Sequence, residues 1–239
     1  MPGSDMIRAI LFDFTQTLVD SSSGFRLAEK RVKRNLFSYL GLTDWDEFLH
    51  KYRQIRSEST SRSIFSRKTI WQEVCWFFCS IGDEIKLKEW EDEYWVTVDH
   101  NTRLFSETLT VIMELSKTYK LGIISNTQGR VGELRNHGLD GFKIIEPYFQ
   151  SVIIAGENSI PAKPKHQPFE LCLNQLDIEA HESVYVGDDW KNDICGSMKA
   201  GLQPVWLKHH SINRNWPEGE FSGPTITSLD KLLDLALFN

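Results

Sequence analysis

The sequence predicts an α/β protein, in which a doubly wound, Rossmann-like parallel sheet carries an inserted all-α helical bundle. Three observations predict it. An apolar run at 7–12 is typical of a strand buried in a parallel sheet. Residues 24–100 carry helical patterns, and strand-like and helical segments alternate after residue 100. The predicted domains are a core of residues 1–20 and 101–239 and a helical insertion of residues 21–100.

The insertion contains four predicted helices, bounded by glycine and serine residues that interrupt the helical pattern. They span residues 24–40, 45–59, 68–81 and 87–100. Five of the eight tryptophans fall in this block, which suits the core of a small bundle, although one or two could form an aromatic wall for a ligand. Cys75 and Cys79 are one helical turn apart, so we expect two buried thiols on one helix.

The remainder of the core alternates between strands and helices. Strands are predicted at 121–125, 151–155, 183–186 and 204–207, and helices at 106–119, 130–137, 167–176, 192–200 and 228–237. This alternation implies right-handed crossovers, and therefore a parallel sheet.

Composition narrows the possible partners. The net charge of -6 and a pI near 5.7 disfavour a nucleic-acid partner, and the basic run at 26–34 is interpreted as a solvated helix face. No apolar run approaches the ~20 residues that cross a bilayer, so no membrane partner is expected. Four cysteines without a Cys-x-x-Cys pair, and no signal-peptide pattern, favour a cytoplasmic protein. The sequence does not indicate an oligomeric state.

Polar side chains follow the predicted strands at the points where the strands end. Because ligands of an open parallel sheet bind outside the carboxyl ends of its strands, we expect these side chains to converge. They are Asp13, Thr15 and Thr17 after the first strand, Ser125, Asn126 and Thr127 after the second, Lys163 after the third, and Asp188, Asp189 and Asp193 after the fourth.

These residue types suggest a metal and phosphate site. Carboxylates brought together from separate strands repel each other unless a cation lies between them, and Mg²⁺ suits an all-oxygen ligand set. A hydroxyl, free backbone amides and a lysine can hold a dianion such as phosphate. A carboxylate in such a pocket can act as a covalent nucleophile.

Four segments resemble the signatures of the haloacid dehalogenase superfamily, in the family's order. They are Asp13-Phe-Thr-Gln-Thr17, Ser125-Asn126-Thr127, Lys163-Pro164 with the later Phe169, and Gly187-Asp188 with Asp193. The resemblance covers residues 7 to about 207. It implies a hydrolase with a helical cap, here the insertion, which closes over the site and contacts a small-molecule phosphate ester.

The resemblance also implies roles for individual residues. Asp13 would attack phosphorus and become an aspartyl phosphate, while Ser125 and the amide of Asn126 would hold phosphoryl oxygens. Lys163 would neutralise the dianion. Asp188 would bind Mg²⁺ with Asp13 and the backbone carbonyl of Thr15. Asp193 would support the metal or orient Lys163, with Thr17 in a supporting role and Asp189 as an alternative ligand.

Thr15 departs from the family pattern, in which a second aspartate at this position exchanges protons with the leaving group and with water. A threonine hydroxyl cannot do this near neutral pH, and general acid–base help is worth ~10²–10⁴ in rate. The function expected is a magnesium-dependent phosphatase, which Thr15 makes slow. Alternatives are a phosphotransferase or a catalytically weakened regulatory protein that binds phosphate and magnesium. His100 could replace the missing acid, although a surface histidine at a helix end is the simpler interpretation. Gln16 is a second departure, since the family often has glycine there.

Overall fold

A six-stranded parallel sheet forms the centre of the core. The computed structural model describes residues 6–62, 64–127, 129, 140–213, 215–216 and 221–235. The strands are β1 Ala9–Phe12, β4 Lys120–Asn126, β5 Ser151–Ala155, β6 Ser183–Gly187, β7 Gln203–Leu207 and β8 Thr225–Ile226. Their order across the sheet is β5-β4-β1-β6-β7-β8. β1 lies in the middle, pairing with β4 through Ile10↔Leu121 and with β6 through Ile10↔Val184. The α/β fold class predicted from the sequence is confirmed.

Both faces of the sheet are covered by apolar clusters, as the continuous apolar runs of the central strands require. Along β1, Ile10 and Phe12 belong to the cluster that includes α5 Thr108–Leu115 and α6 Asp140–Ile145. The alternate residues Ala9 and Leu11 belong to the second cluster, with α7 Gln167–Leu176. Because successive side chains of a strand point to opposite faces of the sheet, the residues of β1 contribute alternately to the two clusters.

The insertion forms a helical unit of its own. Its helices are α1 Ser22–Tyr39, α2 Trp45–Ser61, α3 Arg67–Phe77 and α4 Glu84–His100. The side chains of Asp44, Ser66 and Asp83 cap α2, α3 and α4 by accepting backbone N–H bonds. This unit takes in Ser21–Thr102 together with Thr127 and Gly129, and the larger unit takes in the chain up to Asp20, Arg103–Asn126 and the described residues from 140 onward.

The core of the helical unit is aromatic and includes the buried carboxylate of Glu29. Trp71 and Trp95 are buried, as predicted for core tryptophans, whereas Trp76 is 62% exposed. The Tyr52 hydroxyl donates to Glu29 at 3.1 Å and accepts from Trp71 Nε1 at 3.3 Å. An ion pair of 3.0 Å between Arg56 and Glu29 balances the buried charge.

The third helix of the insertion is shorter than predicted. α3 ends at Phe77 instead of continuing to residue 81, and Cys79 follows in the left-handed region with φ 55°. Cys75 is buried but Cys79 is exposed, so the expected pair of buried thiols is wrong. The basic run at 26–34 lies on α1, where Arg26, Lys30 and Arg34 are exposed.

Several short elements differ from the prediction. Two-residue strands β2 Val19–Asp20 and β3 Arg103–Leu104 pair antiparallel where the chain leaves and re-enters the core. The segment predicted as a helix at 192–200 is a π-helical turn, Trp190–Ile194, followed by α8 Cys195–Lys199. The C-terminal helix predicted at 228–237 is a 3₁₀ turn over Leu229–Asp234.

The predicted helix at 130–137 lies outside the described residues. Within the described part of the chain, no helix combines the length and the apolar character needed to span a membrane.

Candidate active site

The Lys163 ammonium is the centre of a buried polar cluster at the carboxyl ends of β1, β4 and β6. Its Nζ lies 2.7 Å from Asp13 Oδ1, 2.7 Å from Asp193 Oδ1 and 2.7 Å from the Tyr185 hydroxyl oxygen. Only 2% of the lysine side chain is exposed. An ammonium has three N–H donors, so all three are used by these partners.

Asp193 reaches this cluster through the turn that follows β6. Its Oδ2 accepts the backbone N–H of Asp188 at 3.1 Å and of Asp189 at 2.9 Å. Gly187 makes room for it, since a Cβ at that position would lie 2.4 Å from the Cβ of Asp193. The Asp193 carboxylate therefore holds both the Lys163 ammonium and the backbone that carries Asp188.

Three carboxylates approach one another closely enough to share a cation. One oxygen each of Asp13, Asp188 and Asp193 lie within 4.8 Å of one another, and all three residues are buried. The oxygens of Asp193 already accept protein N–H groups, whereas the Thr15 carbonyl accepts no hydrogen bond from the described residues. Carboxylate oxygens such as those of Asp13 and Asp188, and a backbone carbonyl oxygen such as that of Thr15, are ligands that fit Mg²⁺ in chemical type.

Electrostatics of the cluster also favour a cation. Burial raises the pKa of the Asp13 carboxyl to about 7, with the Lys163 charge opposing this and the Asp193 charge adding to it. Burial alone would lower the pKa of Lys163, but the charges of Asp13 and Asp193 outweigh burial and raise it. The ammonium keeps its proton, and a divalent cation beside Asp13 would favour the charged carboxylate.

The residues at the carboxyl end of β4 and just after it play different parts. The Asn126 side chain accepts the Lys163 backbone N–H at 2.8 Å and donates to the Lys163 carbonyl at 3.1 Å, so it fixes the lysine's backbone. The Ser125 hydroxyl, on a residue only 5% exposed, has no hydrogen-bond partner among the described residues and is available to a ligand. Thr127 falls in the helical unit, where its hydroxyl accepts from Gly129 N at 3.2 Å.

The loop after Asp13 is tight and polar. The carbonyl of Phe14 accepts from Leu18 N at 2.9 Å, and Gln16 N donates to the Val19 carbonyl at 2.8 Å. Gln16 has φ 66°, a conformation that favours glycine, which accounts physically for the glycine often found there in the resembling family. The buried Thr17 hydroxyl has no hydrogen-bond partner within the described chain.

Two other candidate site residues, Asp189 and His100, have surroundings that are ordinary for a capping residue and for a surface residue. Asp189 Oδ1 accepts Asn192 N at 2.7 Å and so caps the π-helical turn. His100 is exposed as the last residue of α4.

Sequence reasoning missed two residues of this cluster, Tyr185 and Trp206. Tyr185 is fully buried on β6 and contacts Lys163, while Trp206 Nε1 donates to the Asp188 carbonyl at 3.1 Å. The sequence carried one signal for both residues. Each brings a polar atom into an otherwise apolar strand, and a buried Tyr or Trp needs a hydrogen-bond partner.

Comparison with known proteins finds relatives that are named as phosphatases and that align over most of this chain. The chain is 26% identical over 244 residues to the glyceraldehyde 3-phosphate phosphatase of Methanothermobacter thermautotrophicus, covering 96% of this chain and 98% of that protein. It is 24% identical over 219 residues to the N-acylneuraminate-9-phosphatase of Homo sapiens, covering 88% and 86%.

A solved structure shares the fold. The magnesium-bound HAD-hydrolase YfnB of Bacillus subtilis aligns with a TM-score of 0.66 at 19% identity, over 98% of this chain and 99% of that one. The haloacid dehalogenase-like hydrolase family matches residues 10–207. Since that match spans every strand end from Asp13 to Asp193, the chain belongs to the haloacid dehalogenase-like hydrolases.

Proposed function

We propose that this hydrolase is a magnesium-dependent phosphatase that acts on a small phosphate monoester through a phosphoryl group carried by Asp13. The observation that carries the proposal is the buried cluster in which one carboxylate oxygen each of Asp13, Asp188 and Asp193 lie within 4.8 Å of one another, and in which the Lys163 ammonium contacts Asp13 and Asp193. The relatives named as phosphatases act on phosphorylated small molecules, which supports the same substrate class here.

The first chemical step is the attack of an Asp13 carboxylate oxygen on phosphorus, while the bond from phosphorus to the alcohol oxygen breaks. Lys163 holds Asp13 Oδ1 at 2.7 Å, which leaves Oδ2 as the attacking atom. The Ser125 hydroxyl would donate to a phosphoryl oxygen. Magnesium held by Asp13, Asp188 and the Thr15 carbonyl would supply positive charge for the transferring group.

Thr15 determines how the protons move. The leaving alcohol oxygen must acquire a proton, and the water that attacks the aspartyl phosphate must lose one, but no carboxyl group stands at position 15. Both protons are then exchanged with solvent, so leaving groups that are stable as anions react fastest and the aspartyl phosphate persists.

Thr15 is the specific observation that favours a second candidate function, because an aspartyl phosphate without a nearby acid–base group would be long-lived. If an acceptor alcohol captured the phosphoryl group before water did, the protein would act as a phosphotransferase. A protein that binds phosphate and magnesium for regulation, with little turnover, would have the same Thr15.

The test is turnover of p-nitrophenyl phosphate by the purified chain with Mg²⁺ and with a chelator. We expect magnesium-dependent turnover that Asp13→Asn abolishes, because the amide is a poor nucleophile and a weaker metal ligand. Asp46→Asn, at an exposed position in the first turn of α2, is the matched control and should retain activity. Turnover that survives Asp13→Asn would reject the proposal.

A further inference from the structure

We infer that Tyr185 is a positioning residue for the proposed reaction, whose hydroxyl holds the third N–H of the Lys163 ammonium. The inference rests on the proposed function only for its effect on turnover. The contact itself is a buried pair within the larger unit, 2.7 Å between Lys163 Nζ and the Tyr185 hydroxyl oxygen.

The donor groups of Lys163 and Tyr185 fix the direction of each hydrogen bond between and around them. A charged lysine can only donate, so the tyrosine oxygen accepts from it. The tyrosine O–H must then point to another acceptor, and both the Ile124 carbonyl at 3.1 Å and Asp193 Oδ1 at 3.2 Å are in reach. The hydroxyl is thereby held by β4 and by the turn after β6, while its ring is fixed edge-on by Phe169 at 5.1 Å.

The charge of the cluster explains why the third N–H of the Lys163 ammonium is accepted by a neutral hydroxyl. The three carboxylates and one ammonium sum to about two negative charges, which one divalent cation would balance. A third carboxylate on Lys163 would leave excess negative charge facing a phosphate dianion. A tyrosine hydroxyl satisfies the buried N–H without adding charge, and an unsatisfied N–H on a buried ammonium is costly.

The consequence for the reaction is orientation of the nucleophile. Lys163 fixes Asp13 Oδ1, and Lys163 is itself fixed by Asp193 and by Tyr185. Removing the tyrosine hydroxyl would leave the ammonium free to tilt toward Asp193, so that Asp13 would be held less well at the moment of attack. This affects the chemical step more than substrate binding.

The experiment compares Tyr185→Phe with Tyr52→Phe, which removes an equally buried hydroxyl from the helical unit. With p-nitrophenyl phosphate and Mg²⁺, the rate constant of the initial p-nitrophenol burst reports the attack by Asp13 separately from the slower hydrolysis of the aspartyl phosphate. We expect Tyr185→Phe to lower this burst rate constant about tenfold, with the half-saturating substrate concentration unchanged within about twofold. Tyr52→Phe should lose stability but keep the burst rate constant. An unchanged burst rate constant in Tyr185→Phe, or an equal loss in Tyr52→Phe, would overturn the inference.

A double-mutant cycle separates this inference from the proposed function. The urea midpoint is measured for the unmodified chain, Tyr185→Phe, Lys163→Met and the double variant. We expect the midpoint shift of Tyr185→Phe to change when Lys163 is methionine, because the two side chains interact. If the midpoint shifts of the two substitutions are not additive and the protein has no turnover, the phosphatase is rejected and the lysine–tyrosine pair is supported. Additive midpoint shifts would overturn the pair, whatever the turnover.

Discussion

Replacing Thr15 by aspartate should restore the proton exchange that this site lacks. The Thr15 side chain is half-buried, two residues after Asp13, and makes no hydrogen bond with the described residues. A carboxyl group at this position could protonate the leaving oxygen and then activate the attacking water. Positioned general acid–base groups are worth ~10²–10⁴ in rate, or about 3–5 kcal/mol of barrier.

The surrounding charges reduce this gain. A new carboxylate would join three others that lie within 4.8 Å of one another, and a like charge at about 8 Å costs about 2 kcal/mol at an effective dielectric of about 20. The same repulsion raises the pKa of the new carboxyl, which keeps it protonated for its role as an acid. For an alkyl phosphate we therefore expect kcat/KM to rise by roughly 10–100-fold.

The assay compares an alkyl phosphate with p-nitrophenyl phosphate. Since p-nitrophenolate leaves without protonation, kcat/KM for the aryl ester should change little. The initial burst of p-nitrophenol, expected in the unmodified chain because the aspartyl phosphate hydrolyses slowly, should disappear in Thr15→Asp. Thr15→Asn has the same shape without the acid and is the control. Equal kcat/KM values for Thr15→Asp and Thr15→Asn on the alkyl phosphate, with magnesium affinity retained, would show that the site does not lack a proton donor at position 15.

Three further predictions concern strain, thiol reactivity and pH. Gln16→Gly should raise the free energy of unfolding by about 1 kcal/mol, because φ 66° is strained for glutamine, and a lower melting temperature would contradict this. At pH 8 the exposed Cys79 should react with a thiol reagent within minutes, whereas Cys172, whose pKa burial raises to about 12, should react only on unfolding; comparable rates would contradict this. In magnesium-free protein, the raised pKa of Asp13 makes a stabilising contribution that is present at low pH and is lost as pH rises through about 7. Asp13→Asn should therefore gain melting temperature relative to the unmodified chain from pH 5 to pH 8, and a constant difference would argue against the raised pKa.

The long elements of the fold could be predicted because their own sequences determine them. The apolar run ending at Phe12 has enough buried surface to form a central strand, and the helices of the insertion carry their own periodicity. The two-residue strands β2 and β3 could not be predicted, since their hydrogen bonds depend on a partner far away in the chain. The same holds for β8, which is defined by its pairing with β7.

The candidate site was predictable to the extent that strand ends meet at one edge of a parallel sheet. On this ground alone, Asp13, Lys163 and Asp188 are expected to lie together without any knowledge of side-chain positions. The sequence does not separate the ligands of a metal from residues that hold other residues, because that depends on which oxygens already accept N–H bonds. Asp193 and Asn126 are the examples, as both satisfy backbone groups around the site.

Tyr185 was missed for a related reason. In the sequence it is one more large residue in a buried strand, and nothing local shows which layer its side chain enters. The register Leu11↔Tyr185 places it on the face of the sheet that carries α7, from which its hydroxyl reaches Lys163 and the Ile124 carbonyl.

Trapping the phosphoryl group on Asp13 tests directly whether this carboxylate is the nucleophile. The unmodified chain is mixed with p-nitrophenyl phosphate and Mg²⁺, quenched in acid during turnover, reduced with borohydride and analysed by peptide mass spectrometry. We expect that Asp13 is converted to homoserine, which reports an aspartyl phosphate, and that Asp13→Asn shows no conversion. Magnesium-dependent turnover without conversion at Asp13, or with the phosphoryl group on another residue, would contradict this expectation.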